Sequence, residues 1–495
     1  MAKESDRVIV VKKRTNNSTT TAVSAQAAPR RSPWSEGPWR RGIPAHPSVT
    51  GTQCPGQAER GCDRVRRAAQ RDRTLQFTNL MHHLSRARLH EAYLALNRQA
   101  ATGVDGIHWR AYGEGLEQRL EALHARLQSG RYRPQPTRRV WIPKPDGRQR
   151  PLGVTCVEDK IVQQALVWVL EAIYEVDFQG FSYGFRPGRS QHNALDALYV
   201  AITQRKVSWI LDTDIRSFFD RVDHAWLLKF VAHRVRDQRV LRLIERMLKA
   251  GVKDGDTWQP TEIGVPQGGV LSPLLANIYL HYSLDLWVSA WRKRMARGEV
   301  YIVRYADDVV LGFQYRSDAS AFRQALTQRL ARFGLELHPE KTRLLEFGRF
   351  AATNRAARGA GKPDTFDFLG FTHICSRRRR DGCFTVARIT KKSSLRAILR
   401  ALKTWLLQNR HKPVAVQGRY LRSALQGFAN YFGVPGNTGS LSMLRGAVCR
   451  AWFRALRRRS QKAVKLTWPS MQYAIRRWIP SLRLTHPYPN QRLYV

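Results

Sequence analysis

The stretch "VYIVRYADDVVLGF" (residues 300–313) sets two carboxylates, Asp307 and Asp308, side by side between apolar flanks. Adjacent acids repel, and a buried pair is costly unless a positive charge neutralises it. The flanks read as strands and the acids as the turn between them. An Asp doublet in a turn is common, so the pair needs a third partner to be informative. One stands upstream in "WILDTDIRSFFDRV" (209–222). Period-two alternation places Trp209, Leu211, Thr213 and Ile215 on one face of that strand and Asp212 and Asp214 on the other. An Asp leaving one strand and an Asp pair in a hairpin turn can converge on two divalent cations about 3.5–4 Å apart. Such ions activate an attacking 3′-hydroxyl and stabilise a leaving pyrophosphate. Mg²⁺ takes hard oxygen ligands, so a few carboxylates plus substrate phosphates complete its shell. Metal charge would then make the acid pair tolerable.

A third element, "GVPQGGVLSPLLANIYLHYSLDL" (264–286), lies between these two. Gly268 and Gly269 permit close backbone approach to a ligand. Gln267 can hydrogen-bond a nucleotide or a template. Ser272-Pro273 opens a helix with Leu274, Leu275, Ile278 and Leu280 on apolar spacing.

The whole chain fits a nucleic-acid reading. Its 495 residues suggest about two to four domains. With 84 Lys and Arg against 38 Asp and Glu, the formal charge is +46. A chain so basic seeks a polyanion. No apolar run approaches the length of a membrane span and no signal peptide is visible, so a membrane partner is not expected. Cys54, Cys62, Cys156, Cys375, Cys383 and Cys449 form no CxxC pair, which argues against a zinc module and for a reducing, cytoplasmic setting.

Residues 1–74, rich in Ser, Thr, Ala, Pro and Gly, read as a disordered basic tail. Helical periodicity begins near residue 75, and 158–176 and 221–250 read as helices. "RRVWIPKPDGRQRPLGV" (138–154) reads as a strand and turn, with Pro-Asp-Gly as the turn signal. From about 390 the chain is helical. Between 372 and 495 stands one acid, Asp381, against 26 Lys and Arg, which suggests a polyanion-binding module. There "SSLRAILRALKTWLL" (393–407) turns Arg396, Arg400 and Lys403 outward from an apolar stripe. Arg457, Arg458 and Arg459 form a second basic cluster, read as lying on a helix.

The order of "DIRSFFD" (214–220), "PQGGVLSPLLANIYL" (266–280), "YADD" (305–308) and "GLELHPEKT" (334–342) resembles the palm of a reverse transcriptase. More narrowly, the chain resembles the group II intron-encoded reverse transcriptase/maturase family. "ATGVDGI" (101–107), "IPKPDGRQRPLGV" (142–154) and "GFSYGFRPGRSQHNAL" (180–195) are similar to that family's N-terminal extension and fingers. "FDFLGF" (366–371) is similar to its palm-to-thumb hairpin, and "LQGFANYFGVPGN" (425–437) and "RALRRRSQ" (454–461) to its maturase thumb.

The resemblance implies an α+β, right-hand polymerase: fingers, an antiparallel-sheet palm and an α-helical thumb behind the tail. It divides the chain into fingers and palm with the N-terminal extension (75–371), the thumb or maturase domain (372–465), and a short basic, possible DNA-binding region (466–495). It implies RNA-directed DNA synthesis with two Mg²⁺ ions, dNTPs, an RNA template and a DNA primer or target DNA. A second role as maturase for group II intron RNA follows. Asp214, Asp307 and Asp308 would be the catalytic metal ligands, joined by the carbonyl of Ile215, with Asp212 structural. Phe219 would lie under the sugar of the incoming nucleotide and exclude a 2′-hydroxyl. Lys144 and Arg150 suit a triphosphate, the one as a point charge and the other as a bidentate fork. Lys341 would assist pyrophosphate departure or reach the phosphates, and Arg186 and Arg189 would meet template phosphates. Some relatives carry a zinc-dependent HNH nuclease, for which no Cys/His cluster is seen at the end of this chain. Two rivals are a non-catalytic RNA-binding splicing factor that keeps the fold as a scaffold, and a domesticated relative in repair or phage defence.

Overall fold

The computed structural model describes residues 10–11, 57–143 and 149–494. Lys144 and most of the expected tail lie outside them. Among the described residues no helix is long and apolar enough to cross a membrane.

At the centre is a four-stranded antiparallel sheet in the order Val300–Tyr305, Asp308–Phe313, Trp209–Asp214, Arg343–Glu346. Both of its faces are covered, and the period-two alternation decides which side chain goes where. Leu211, Ile302, Val309 and Leu311 enter one core with the helices Val157–Asp177 and Ser272–Leu280. Ile210, Tyr301, Val303 and Val310 enter a second core, shared with the helix Gln191–Gln204 and the C-terminal helices. The fingers are a second sheet, in which Thr137–Pro143 and Gln149–Val154 form an antiparallel hairpin. Thr137–Pro143 also pairs, in parallel, with Val252–Asp254. The thumb packs the helices Lys392–Gln408, Val414–Phe432 and Thr438–Arg457. Ile398, Leu402 and Leu406 of the first, and a fully buried Trp452 of the third, supply its apolar contacts.

The structure moves several expected boundaries. The tail cannot reach 74, because Gln57–Arg71 is a helix that buries Cys62, Val65 and Ala69 in the first core region, against Val157–Asp177. The segment 221–250 is two helices, His224–Ala232 and Gln238–Leu248. Asp237 makes the break: one oxygen caps the second helix through Arg239 N (2.9 Å), and the other accepts from Leu80 N (2.7 Å) and Met81 N (2.9 Å). The expected cut at 371/372 falls inside a three-stranded sheet formed by Phe366–Phe368, Phe371–Arg377 and Phe384–Thr390. The segment 466–495 is no separate module either. Its helix Trp468–Trp478 buries Met471 and Ile475 in the second core, and Trp478 packs on Gly418 so closely that a Cβ there would lie 2.3 Å from the ring.

Candidate active site

The acid pair sits at a two-residue turn, Ala306-Asp307, closed by the pair Tyr305 and Asp308, so that Asp307 lies in the turn and Asp308 opens the next strand. Ala306 takes a φ of 56°, a place where glycine is usual. Asp308 faces Asp214 directly across the adjacent strands, so the two carboxylates share one face at one end of the sheet. Ile215 is buried just beyond and bridges to Leu337. That bridge and the bond from His338 N to Asp214 O (2.7 Å) bring the "HPEKT" segment alongside. Its Lys341 donates to Asp214 Oδ2 at 2.5 Å. Asp212, on the same face, pairs with Arg343 at 3.3 Å.

Asp308 keeps solvent-exposed surface, yet protein atoms are packed closely around its carboxylate. That enclosure, and then the charges of Asp307, Asp214 and Asp212, push its pKa up to about 7, while Lys341 draws it down. Asp307 is raised as well, by burial and by Asp214, with Arg150 pulling the other way. Negative charge is thus in excess, and the donors are all hard oxygens, which fits a divalent cation site. Among the described residues no three such side chains already close on one point, since Asp214 is turned to Lys341. Oxygens from a bound substrate would therefore have to complete a shell.

Arg150 reaches over this end of the palm from the fingers hairpin. Its Nε donates to Gln267 Oε1 at 2.6 Å, and Gln267 Nε2 donates to Asp220 Oδ1 at 3.1 Å. Asp220, which the sequence reading passed over, thereby ties the fingers to the palm. Phe219 is half-buried and lines, with Gln267, Leu152 and Gly153, a cavity of about 500 Å³ between the two.

Arg186 does not meet the expectation of a template contact. It is 4% exposed and fully engaged inward: with Glu175 (2.9 Å), Gln179 O (2.8 Å) and Ser182 O (2.8 Å). Arg189 also bonds Gly180 O (2.5 Å) and Ser182 O (3.1 Å). The two brace the loop 180–190, whose residues 181–183 pair with the sheet edge at Arg304. Arg396, Arg400 and Lys403 are exposed on their helix. The cluster Arg457–Arg459 straddles a helix end rather than lying on a helix. Arg457 Nε bonds Val464 O (3.2 Å), Arg459 Nη2 bonds His411 O (2.9 Å), and Arg458 faces solvent.

Sequence reasoning also missed the support beneath the turn: Arg304, Asp285 and Asn277. The available signal was a lone charge inside the apolar run of 300–305, which demands a buried partner.

Paired strands ending in facing acids, a basic fingers hairpin above them and a helical thumb beyond define the right-hand fold of polymerases. Residues 142–373 match the family described as Reverse transcriptase (RNA-dependent DNA polymerase), whose members use divalent metal ions. Over 239 residues the chain is 38% identical to Protein YkfC of Escherichia coli (strain K12), covering 42% of this chain and 62% of that protein. Over 237 residues it is 35% identical to the Group II intron-encoded protein LtrA of Lactococcus lactis subsp. cremoris, covering 48% and 39%. A shorter stretch of 92 residues is 32% identical to Nuclear intron maturase 1, mitochondrial, of Arabidopsis thaliana, covering 19% and 13%. Over this region the chain is similar to group II intron-encoded reverse transcriptases and intron maturases. The matched region spans less than two thirds of the length of these relatives.

Proposed function

We propose that the protein is an RNA-directed DNA polymerase that extends a DNA primer or target DNA on an RNA template, and that it acts as maturase for a group II intron RNA in splicing and mobility. The observation that carries this reading is the in-register facing of Asp214 and Asp308, with Asp307 in the turn between strands. In this reading Asp214, Asp307, Asp308 and the carbonyl of Ile215 hold two Mg²⁺ ions, which would supply the charge that activates a 3′-hydroxyl and steadies a leaving pyrophosphate. Arg150, beside Asp307, takes the dNTP triphosphate together with Lys144, and Gln267 orients the nucleotide. Phe219 closes the pocket against a 2′-hydroxyl. Lys341, already among the acids, takes the phosphate side of the substrate. The basic thumb binds intron RNA through Arg396, Arg400 and Lys403, with Arg458 beside them. The protein would work in the bacterial cytoplasm, on the nucleoid.

The test is primer extension with dNTPs and Mg²⁺. Asp307→Ala or Asp308→Ala should abolish extension and leave RNA binding intact. Extension near the wild-type rate in either variant would sink the assignment.

A further inference from the structure

Three residues before the acid pair, Arg304 points away from the acids into the first core. Neither it nor Asp285 has any exposed side-chain surface. Its Nε and Nη2 grip Asp285 at 2.8 and 2.6 Å. Asp285 closes a π-helical turn, His281–Asp285, in an otherwise α-helical run from Ser272 to Arg294. Such a turn redirects the side chains that follow it and is frequent at functional sites. The remaining nitrogen, Nη1, splits between Asn277 Oδ1 and Ala306 O, both at 3.0 Å. Asn277 passes the constraint on, donating Nδ2 to Gly184 O at 2.8 Å. Gly184 in turn lies against the turn from the other side: a Cβ there would stand 2.2 Å from Ala306 N. The backbone closes the ring, with Arg304 N bonded to Phe181 O (2.9 Å) and Tyr183 N to Arg304 O (2.8 Å).

We infer that Arg304, with Asp285 and Asn277, is a positioning residue that fixes the backbone of the Ala306-Asp307 turn, and through it the two carboxylates, in the geometry that accepts divalent cations. The inference rests on the reading of Asp307 and Asp308 as cation ligands. Three observations point to placement rather than to stability alone. A buried ion pair is seldom more stabilising than an apolar pair of the same size, so its worth has to be sought in what it orients. One arm of the guanidinium leaves the pair to hold the carbonyl of Ala306. That residue carries the positive φ, a conformation a non-glycine residue keeps only where its surroundings impose it. Asp307 and Asp308 follow directly, so a shift at Ala306 moves both acids relative to Asp214.

The experiment separates placement from folding. Mn²⁺ binding to the full chain on a primer–template is titrated by electron paramagnetic resonance, alongside thermal unfolding. The double variant Arg304→Met/Asp285→Leu leaves no orphaned charge and should melt near the wild type, yet it loses the tether to Ala306. Arg304→Lys keeps the charge opposite Asp285 and loses the same tether. Both should bind Mn²⁺ at least about tenfold more weakly, the scale seen when groups supporting metal ligands are removed. Asp307→Ala reports separately on the ligands. Unchanged Mn²⁺ affinity in Asp307→Ala overturns the ligand reading and this inference with it. A loss in Asp307→Ala with wild-type affinity in whichever tether variants fold overturns this inference alone. Should the double variant melt far below the wild type, Arg304→Lys decides by the same criterion.

Discussion

The exposed stripe on the first thumb helix lends itself to a quantitative prediction. Arg396, Arg400 and Lys403 are spaced by four and three residues, so they share one face, about 6 and 4.5 Å apart along the axis. All three are exposed, and none has another protein group to hold it among the bonds of the described residues. Each phosphate neutralised lowers the slope of log affinity against log salt by about 0.7–0.9. Replacing the three by Ala should therefore flatten that slope by about two to three, equivalent to roughly twentyfold to fortyfold of the affinity loss between 50 and 200 mM salt. The triple change Arg457→Ala/Arg458→Ala/Arg459→Ala should behave differently. Two of those side chains already bond carbonyls, at Val464 and His411, and only Arg458 is turned outward without such a bond. Its slope should fall by about one, roughly a fourfold effect over the same range. The assay is fluorescence anisotropy of a structured intron RNA across a salt series for both triple variants, with primer extension on saturating template as a control. Equal slope changes in the two variants would refute the reasoning, because they would show that side-chain engagement in the fold does not decide which arginines meet phosphate.

Phe219→Ala or Phe219→Val should raise rNTP incorporation relative to dNTP in a single-nucleotide assay, since the ring lines the cavity beside Gln267; unchanged discrimination would leave Phe219 as core packing. Removing residues 1–71 strips the burial of Cys62, Val65 and Ala69 and should cost about 3–5 kcal/mol in urea unfolding. His373 is stacked on Phe366 at 4.7 Å, and burial and then Arg388 push its pKa down to about 3. A depressed folded pKa means that stability is complete above the unfolded value of about 6.5 and is lost as pH falls toward 3. At pH 5 this histidine should remove about 2 kcal/mol, and His373→Phe should flatten that part of a pH series of urea melts.

The palm was legible because its chemistry and its local pattern agree. Carboxylates must come from particular strand positions, and the alternation around Leu211 and Val309 assigns those positions without knowledge of distant contacts. The helix Gln57–Arg71 was hidden for the opposite reason. Among residues 61–71, whose burial is described, only Cys62, Val65 and Ala69 are buried, and the apolar surface they need belongs to a helix about a hundred residues later. Domain limits failed similarly, since the second core gathers Ile210, Val310, Phe371 and Ile475 from across the chain. Arg186 marks the limit of reading charge by type. A guanidinium in a glycine-rich loop suits a phosphate, but Glu175 stands one helix away and binds it at 2.9 Å.

That shared core bears on how thumb and acids work together. The sheet face that carries Asp214 and Asp308 is the one whose inner positions, Ile210 and Val310, pack into the core of the thumb. The joint is reinforced by a pair with almost no exposure, Arg388 to Asp196 at 2.8 Å, and by Tyr199 to Thr385 at 2.9 Å, both linking the palm helix Gln191–Gln204 to the strand Phe384–Thr390. Tyr431 of the thumb adds a bond to Leu369 O at 2.9 Å, and its ring lies near Tyr305 and Asp308. A thumb that swung as a free body would have to open this core and break the buried Arg388–Asp196 pair, which is costly in a dry interior. The acids and the first thumb helices are therefore held in one frame. On the proposed function, primer and template gripped by the thumb would arrive at Asp214, Asp307 and Asp308 in a fixed register, with the Arg150–Gln267–Asp220 link spanning the cleft from fingers to palm.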